Sequence, residues 1–241
     1  MISVINRDPR TIQGEELERL RNYLLNHPNL KILDSHPLVI DAITHMRQKH
    51  ITHEDYEKCV RRVTNLLMAE ATKGLPTREF GIFRDKRHYL TGKVINVGVT
   101  LIPILRAGLP MLEEATRYLH PTSTGFIMAE RDESTGKSEI TTCKLPVLRN
   151  QWSFFLEQVI ATGGTLAKAI EIAKRDYHAE TILLLCCIAA PQGIARILET
   201  HPEVKIFLGC MDKTLDENFF VSPGIGDAGD KTFGVYHKPS C

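Results

Sequence analysis

An excess of charge of either sign is absent from this chain: 30 Lys and Arg stand against 29 Asp and Glu in 241 residues, a net charge of +1. Such a balance provides no global attraction to nucleic acid or to an anionic membrane, so any anion must be held by a local site. The six cysteines include no C-x-x-C pair, and Cys186 and Cys187 are neighbours in an apolar run, where they point to opposite faces. That is poor geometry for a disulfide framework or a zinc site, and reduced thiols in a reducing compartment are expected. The N-terminus, MISVINRDPRTIQGEELERL, lacks the basic-then-apolar order of a secretory leader. The longest apolar stretch, ILLLCCIAA at 182–190, is about half a membrane span. Gly and Pro are present at ordinary levels, and no repeat or low-complexity segment interrupts the chain. A cytoplasmic location with no membrane contact is the expectation.

What the chain does contain changes in character near residue 94. Before it, helix dominates: 14–26 and 53–73 repeat apolar positions at helical spacing, stopped by His27-Pro28 and by Gly74-Leu75-Pro76. Segment 77–93 is charged and aromatic, like an extended arm or hairpin whose Tyr and Phe serve packing. After it come apolar runs at 94–105, 125–128, 152–160, 181–189 and 205–211, alternating with helical patterns at 110–119, 166–177 and 193–201. Strand, turn and helix in repetition predict an α/β fold with a mainly parallel central sheet flanked by helices. Ligands then belong at the carboxyl ends of the strands.

Four segments could carry chemistry there. Ala161-Thr162-Gly163-Gly164-Thr165 joins a strand to a helix; its glycines allow close backbone approach, and the unpaired N–H groups of the new helix suit a phosphate. It is not a P-loop, because no lysine is placed for nucleotide phosphates. Glu157 stands in the apolar run that feeds this turn, where an acid is costly unless it meets polar groups at the strand end; there it can accept bonds from sugar hydroxyls. Arg106, in PILRAGL at 103–109, would point a five-donor fork into the crevice. The polar stretch Glu130–Lys137 reads as a lid or binding loop. Finally, PGIGDAGDK at 223–231 forces a bent, exposed backbone whose free N–H and C=O groups can pair with the edge of a planar heterocycle. Val221 leads into it and Phe233-Gly234 closes it.

Together these segments resemble the uracil phosphoribosyltransferases, a type I phosphoribosyltransferase family. HPLV (36–39), AEAT (69–72), PILRAGL (103–109), ERD…CKLP (130–146), ATGGT (161–165), AAPQGI (189–194), HPEVKIF (201–207) and PGIGDAGDKTFG (223–234) stand in family order. The resemblance implies one domain over 36–241 with a flexible hood near 129–146, and an N-terminal extension of 35 residues. It implies transfer of phosphoribosyl from 5-phosphoribosyl 1-diphosphate (PRPP) to uracil, giving UMP and diphosphate. In that reading 161–165 takes the 5′-phosphate and Glu157 the ribose hydroxyls. Arg106 and Arg131 face the diphosphate, and Asp227 reaches PRPP through Mg2+ or water. Uracil lies against Val221 and the backbone of Gly226, Asp227 and Ala228. The metal is carried by PRPP rather than bound by the protein alone, no covalent nucleophile is needed, and a homodimer or higher oligomer is implied.

The chain also departs from the family pattern. Asp-Pro before the phosphate turn is here Glu157-Gln158, so the carboxylate reaches one methylene further and the rigidity of proline is lost. The Tyr-Arg of the hood is Glu130-Arg131, Pro110 follows ILRAGL in place of glycine, and Ser222 replaces an isoleucine before the loop. Two alternatives therefore stay open at this point: a non-catalytic PRPP- or nucleotide-binding regulatory protein, and a phosphoribosyltransferase for another base.

Overall fold

The computed structural model of the chain describes all residues except 1–2, 6, 85–88, 120–122, 132–137 and 236–241, and all side chains in the described segments except those of Arg131 and Ser138. In chain order the helices are α1 (Gly14–Leu25), α2 (Pro37–Met46), α3 (His53–Ala71), α4 (Leu109–Tyr118), α5 (Gly164–Tyr177), α6 (Pro191–Thr200) and α7 (Ala228–Phe233). The strands are β1 (Leu30–Ile32), β2 (Thr77–Phe83), β3 (Tyr89–Ile95), β4 (Gly98–Leu105), β5 (Ser123–Thr124), β6 (Phe126–Arg131), β7 (Ser138–Lys144), β8 (Gln151–Ile160), β9 (Thr181–Ala189), β10 (Lys205–Met211), β11 (Thr214–Leu215) and β12 (Val221–Ser222).

The apolar runs become the centre of the main sheet, ordered β1-β10-β9-β8-β4-β6-β7, with β5 also paired to β4. Every pairing is parallel except β6 with β7. Strands buried on both faces need no alternation of polar and apolar residues, which is why they read as continuous runs. One face carries α1, α5 and α6 through Leu20, Leu24, Ile170, Ala173, Ile194 and Ile197. The other carries α2, α3, α4 and α7 through Val39, Val63, Met111 and Ala228. Cys186 lies in the first core and Cys187 in the second; the five described cysteines are all free thiols, and Cys241 lies outside the described residues.

The chain progresses outward in opposite directions from the β4–β8 pair. In an open α/β sheet this reversal leaves a crevice at the carboxyl ends of the two strands. Leu105 of β4 and Ile160 of β8 end there, followed by Arg106 and by Ala161. No helix among the described residues is long and apolar enough to cross a membrane.

Three local readings differ from the structure. Residues 94–95 belong to β3, the second strand of an antiparallel hairpin with β2, so β4 begins only at Gly98. Phe80, Ile82, Phe83, Tyr89 and Leu90 of that hairpin are exposed rather than packed into the core. Helix α2 has no place in the periodicity reading, yet His36 caps it by accepting from the N–H of Leu38, and Pro37 opens it.

Candidate active site

Two glycines on different elements fix the turn between β8 and α5. Gly163 has φ +74, a left-handed conformation that a side chain disfavours. A Cβ on it would lie 2.4 Å from the carbonyl oxygen of Gly193, and a Cβ on Gly193 would lie 2.2 Å from that of Ala161. The phosphate turn and the start of α6 therefore interlock backbone against backbone. No side chain caps α5, and Gly163 rather than a threonine occupies its N-cap. The leading N–H groups of the helix are consequently free of side-chain acceptors, with the positive end of the dipole behind them. The guanidinium of Arg196, half-buried on α6, comes within 3.3 Å of where a Gly164 Cβ would be. Among the described residues, no acid stands within ion-pair distance of it.

Glu157 faces the same end of the sheet. Its Oε1 accepts the N–H of Gln158 at 2.8 Å. Burial among apolar walls pushes its carboxyl up to about 7, opposed by the N–H groups of Gln158 and Val159. With Val159 and Ala161 it lines a cavity of about 600 Å³, closed on the far side by Asp216, Phe220, Val221, Pro223 and the 225–228 segment. Asp227 contributes to that lining and also accepts the N–H of Asp230 at 2.8 Å. The 223–231 segment is thus not an open loop throughout. From Ala228 it winds into α7, because Asp227 caps the helix and removes part of the backbone from ligand reach. Gly224, at φ +63, makes the preceding turn, where a Cβ would lie 2.1 Å from the carbonyl oxygen of Val221.

Arg106 follows a cis bond from Leu105, is exposed, and does not line the cavity. It leans to α7, with Nη2 3.5 Å from Asp230 Oδ1 and the guanidinium 5.9 Å from the centre of the Phe233 ring. A pair this exposed is worth little and is easily given up to a stronger anion. Arg131 ends β6, and its side chain lies outside the described residues, as does the hood tip at 132–137; Glu130 is exposed opposite Glu139.

The model of the family "Uracil phosphoribosyltransferase" matches residues 32–235. The chain belongs to that family. The uracil phosphoribosyltransferase of Malacoplasma penetrans is 36% identical over 201 residues, covering 83% of this chain and 97% of that protein. That of Clostridium acetobutylicum is 37% identical over 206 residues, covering 83% and 96%. Among solved structures, the AQ2163 protein from Aquifex aeolicus superposes with a TM-score of 0.79 at 33% identity, over 85% of this chain and 99% of that one. The expected α/β architecture of a type I phosphoribosyltransferase is the one observed.

Against the pattern of the uracil phosphoribosyltransferases, Gln158 looks from sequence like lost rigidity. The structure gives it a different part. Its fully buried side chain accepts from Tyr56 Oη (2.7 Å) and donates from Nε2 to the carbonyl of Ala107 (2.5 Å) and to Thr232 Oγ1 (3.0 Å). Burial raises the Tyr56 hydroxyl well above its ordinary value, so it stays protonated as a donor. One amide thereby ties α3, the turn that carries Arg106, and α7.

Two further ties hold the 223–231 segment. Asp212, buried beside Arg47, accepts from Arg47 Nη1 and from the N–H of Gly224, both at 2.8 Å, while the same Nη1 donates to the Gly224 carbonyl at 2.7 Å. Lys231 Nζ donates to the carbonyls of Met46 and Gln48 at the end of α2, both at 2.9 Å. Sequence reasoning missed Arg47, Asp212, Gly193, Arg196 and the anchoring part of Gln158. The available signal for two of them was the AAPQGI segment, which contains Gly193 and ends two residues before Arg196. Ser222 pairs with Thr214 across β11 and β12 and does not line the cavity.

Proposed function

We propose that this uracil phosphoribosyltransferase family member joins uracil to PRPP, forming UMP and diphosphate, within the cavity at the ends of β4 and β8. The observation that carries this reading is one cavity lined by Glu157, by the 221–228 segment and by Ala161, the first residue of the uncapped glycine turn. A volume of this size suits a nucleotide-scale ligand. The 161–165 turn would hold the 5′-phosphate through backbone N–H groups, with Arg196 adding a cation at its flank. Glu157 would accept the ribose hydroxyls. Uracil would stack against Val221 and read its edge on the backbone of Gly226 and Ala228.

Breaking the C1′–O bond places negative charge on the leaving diphosphate and positive charge on the sugar. Arg106 would exchange its weak contact with Asp230 for the diphosphate, and Arg131 would join it from the hood. The apolar walls would limit the water able to capture the sugar cation. Among the described residues no cluster of three His, Cys, Asp or Glu could cage a metal. Mg2+ arriving with PRPP fits better, with Asp227 as the available carboxylate beside it. Bound there, it would neutralise charge on the leaving diphosphate.

The alternative of a different base rests on Ser222, which the cavity does not contact. A homodimer or higher oligomer belongs to this reading, supported by the exposed apolar β2–β3 hairpin. The free thiols favour a reducing compartment such as the cytoplasm. The test is UMP formation from radiolabelled uracil with PRPP and Mg2+. PRPP binding without UMP would overturn catalysis, and turnover only with another base would overturn the choice of uracil. Arg106→Ala should lose on the order of 10²-fold in kcat.

A further inference from the structure

Residues ahead of the family match do not hang free of the site. Val4 and Ile12 are buried in the same core as α5 and α6. Glu199 of α6 accepts the N–H groups of Val4 (3.0 Å) and Ile5 (3.2 Å), which fixes the start of the segment. From this anchorage the segment reaches the hairpin formed by β11, β12 and the bend between them. Arg10, held by Asp8 at 2.7 Å, donates from Nη1 to the Glu217 carbonyl at 2.9 Å and lays its guanidinium 3.9 Å from the centre of the Phe219 ring. Arg21, two turns into α1, donates to the carbonyl of Asp212 at 2.5 Å and to that of Lys213 at 3.3 Å. Gln192 links the two from below, donating to Thr214 Oγ1 at 2.9 Å and to the Ile12 carbonyl at 3.5 Å.

The other side of this hairpin supplies Asp216, Phe220 and Val221 to the cavity. Its tip has an unfavourable conformation: Phe219 sits at φ +62, unusual for an aromatic residue. A two-stranded ribbon with two residues in each strand has little stability of its own. Cation–π contact and a charge-assisted bond from outside therefore fix the position of the wall.

We infer that the N-terminal segment is a brace for the uracil end of the cavity, with Arg10 and Arg21 as positioning residues that set affinity for the base through the 212–222 hairpin. The inference rests on the proposed reaction only for what occupies the cavity. The phosphate turn, Glu157 and Arg106 lie on other elements, so the brace separates base affinity from PRPP affinity.

The experiment compares the full chain with its Arg10→Ala/Arg21→Ala double variant and with Arg7→Ala, which breaks only the Arg7–Glu16 pair inside the segment. In the double variant the KM for uracil should rise about tenfold, while kcat and the KM for PRPP stay within about twofold. Arg7→Ala should leave all three constants in place, and Arg21→Lys, which can still donate to the two carbonyls, should recover part of the loss. Equal shifts in both KM values, or none, would overturn the brace. Hydrogen exchange separates this from the reaction itself. Faster exchange across 212–222 in the double variant supports the brace even in a protein that makes no UMP, and unchanged exchange there overturns it.

Discussion

Gln158→Leu removes one amide while keeping much of its bulk, and the consequences can be worked out from the partners it leaves. Tyr56 Oη, wholly buried, loses its acceptor, and the carbonyl of Ala107 loses its donor. Thr232 is spared in part, since its hydroxyl still donates to the Ala228 carbonyl at 2.7 Å. Each orphaned buried group costs about 1–3 kcal/mol, so the variant should lose about 3–4 kcal/mol of stability. For a chain of this length that is a fall in Tm of about 10 °C. A functional loss should accompany it, because Ala107 follows Arg106 directly and Thr232 lies in α7. The KM for PRPP should rise about tenfold, which corresponds to about 1.4 kcal/mol. Tyr56→Phe is the matching control: it leaves both Nε2 bonds intact, so it should cost about 1 kcal/mol of stability with no change in KM. Thermal melts and steady-state kinetics on the two variants measure both quantities. A Gln158→Leu protein with an unchanged Tm and an unchanged KM would refute the reasoning, and an equal KM shift in Tyr56→Phe would refute the assignment of that shift to the Arg106 turn.

The Glu157 carboxyl, held up at about 7 by burial, should make PRPP binding tighten as pH rises from 6 to 8, because only the carboxylate accepts two hydroxyl donors well; Glu157→Gln should flatten that profile. The same shift has a sign for stability: a carboxyl that stays protonated in the fold above its ordinary range lowers stability as pH rises towards 7. Melts of the ligand-free protein between pH 5 and 8 should therefore show a decline that Glu157→Gln removes. Gly193→Ala would force a methyl against the Ala161 carbonyl and should weaken PRPP binding on the order of 10²-fold, read by calorimetry, with a lowered Tm. Arg196→Ala should raise the KM for PRPP about tenfold and leave that for uracil unchanged, as expected for a cation beside the phosphate turn alone.

The strands β8, β9 and β10 were legible in the sequence to within a residue, because burial on both faces writes itself as an unbroken apolar run. Helices α1 and α3 were legible for the corresponding reason, a single apolar stripe at helical spacing. The glycine turn at 161–165 and the Gly224–Gly226 bend could be read because backbone geometry restricts the residue types that fit, and Glu157 because an acid in an apolar run is costly without a polar partner. Asp227 was singled out too, but its capping of α7 was not, since a cap is visible only once the helix it serves is known.

Amino-acid order by itself determined the α/β class, the position of the crevice and the family pattern that runs through it. Tertiary structure alone decided what holds the crevice in shape. Gln158 reads as a missing proline until Tyr56, Ala107 and Thr232, far apart in the chain, are seen to converge on its amide. Nothing in the sequence singles out Arg47, Asp212 or Arg10; their parts show only where Arg47 and Asp212 meet the Gly224 backbone and where Phe219 lies beneath Arg10. These ties satisfy buried polar groups across distant segments, and hydrogen-bond partners brought together by folding leave no periodic trace in the order of residues.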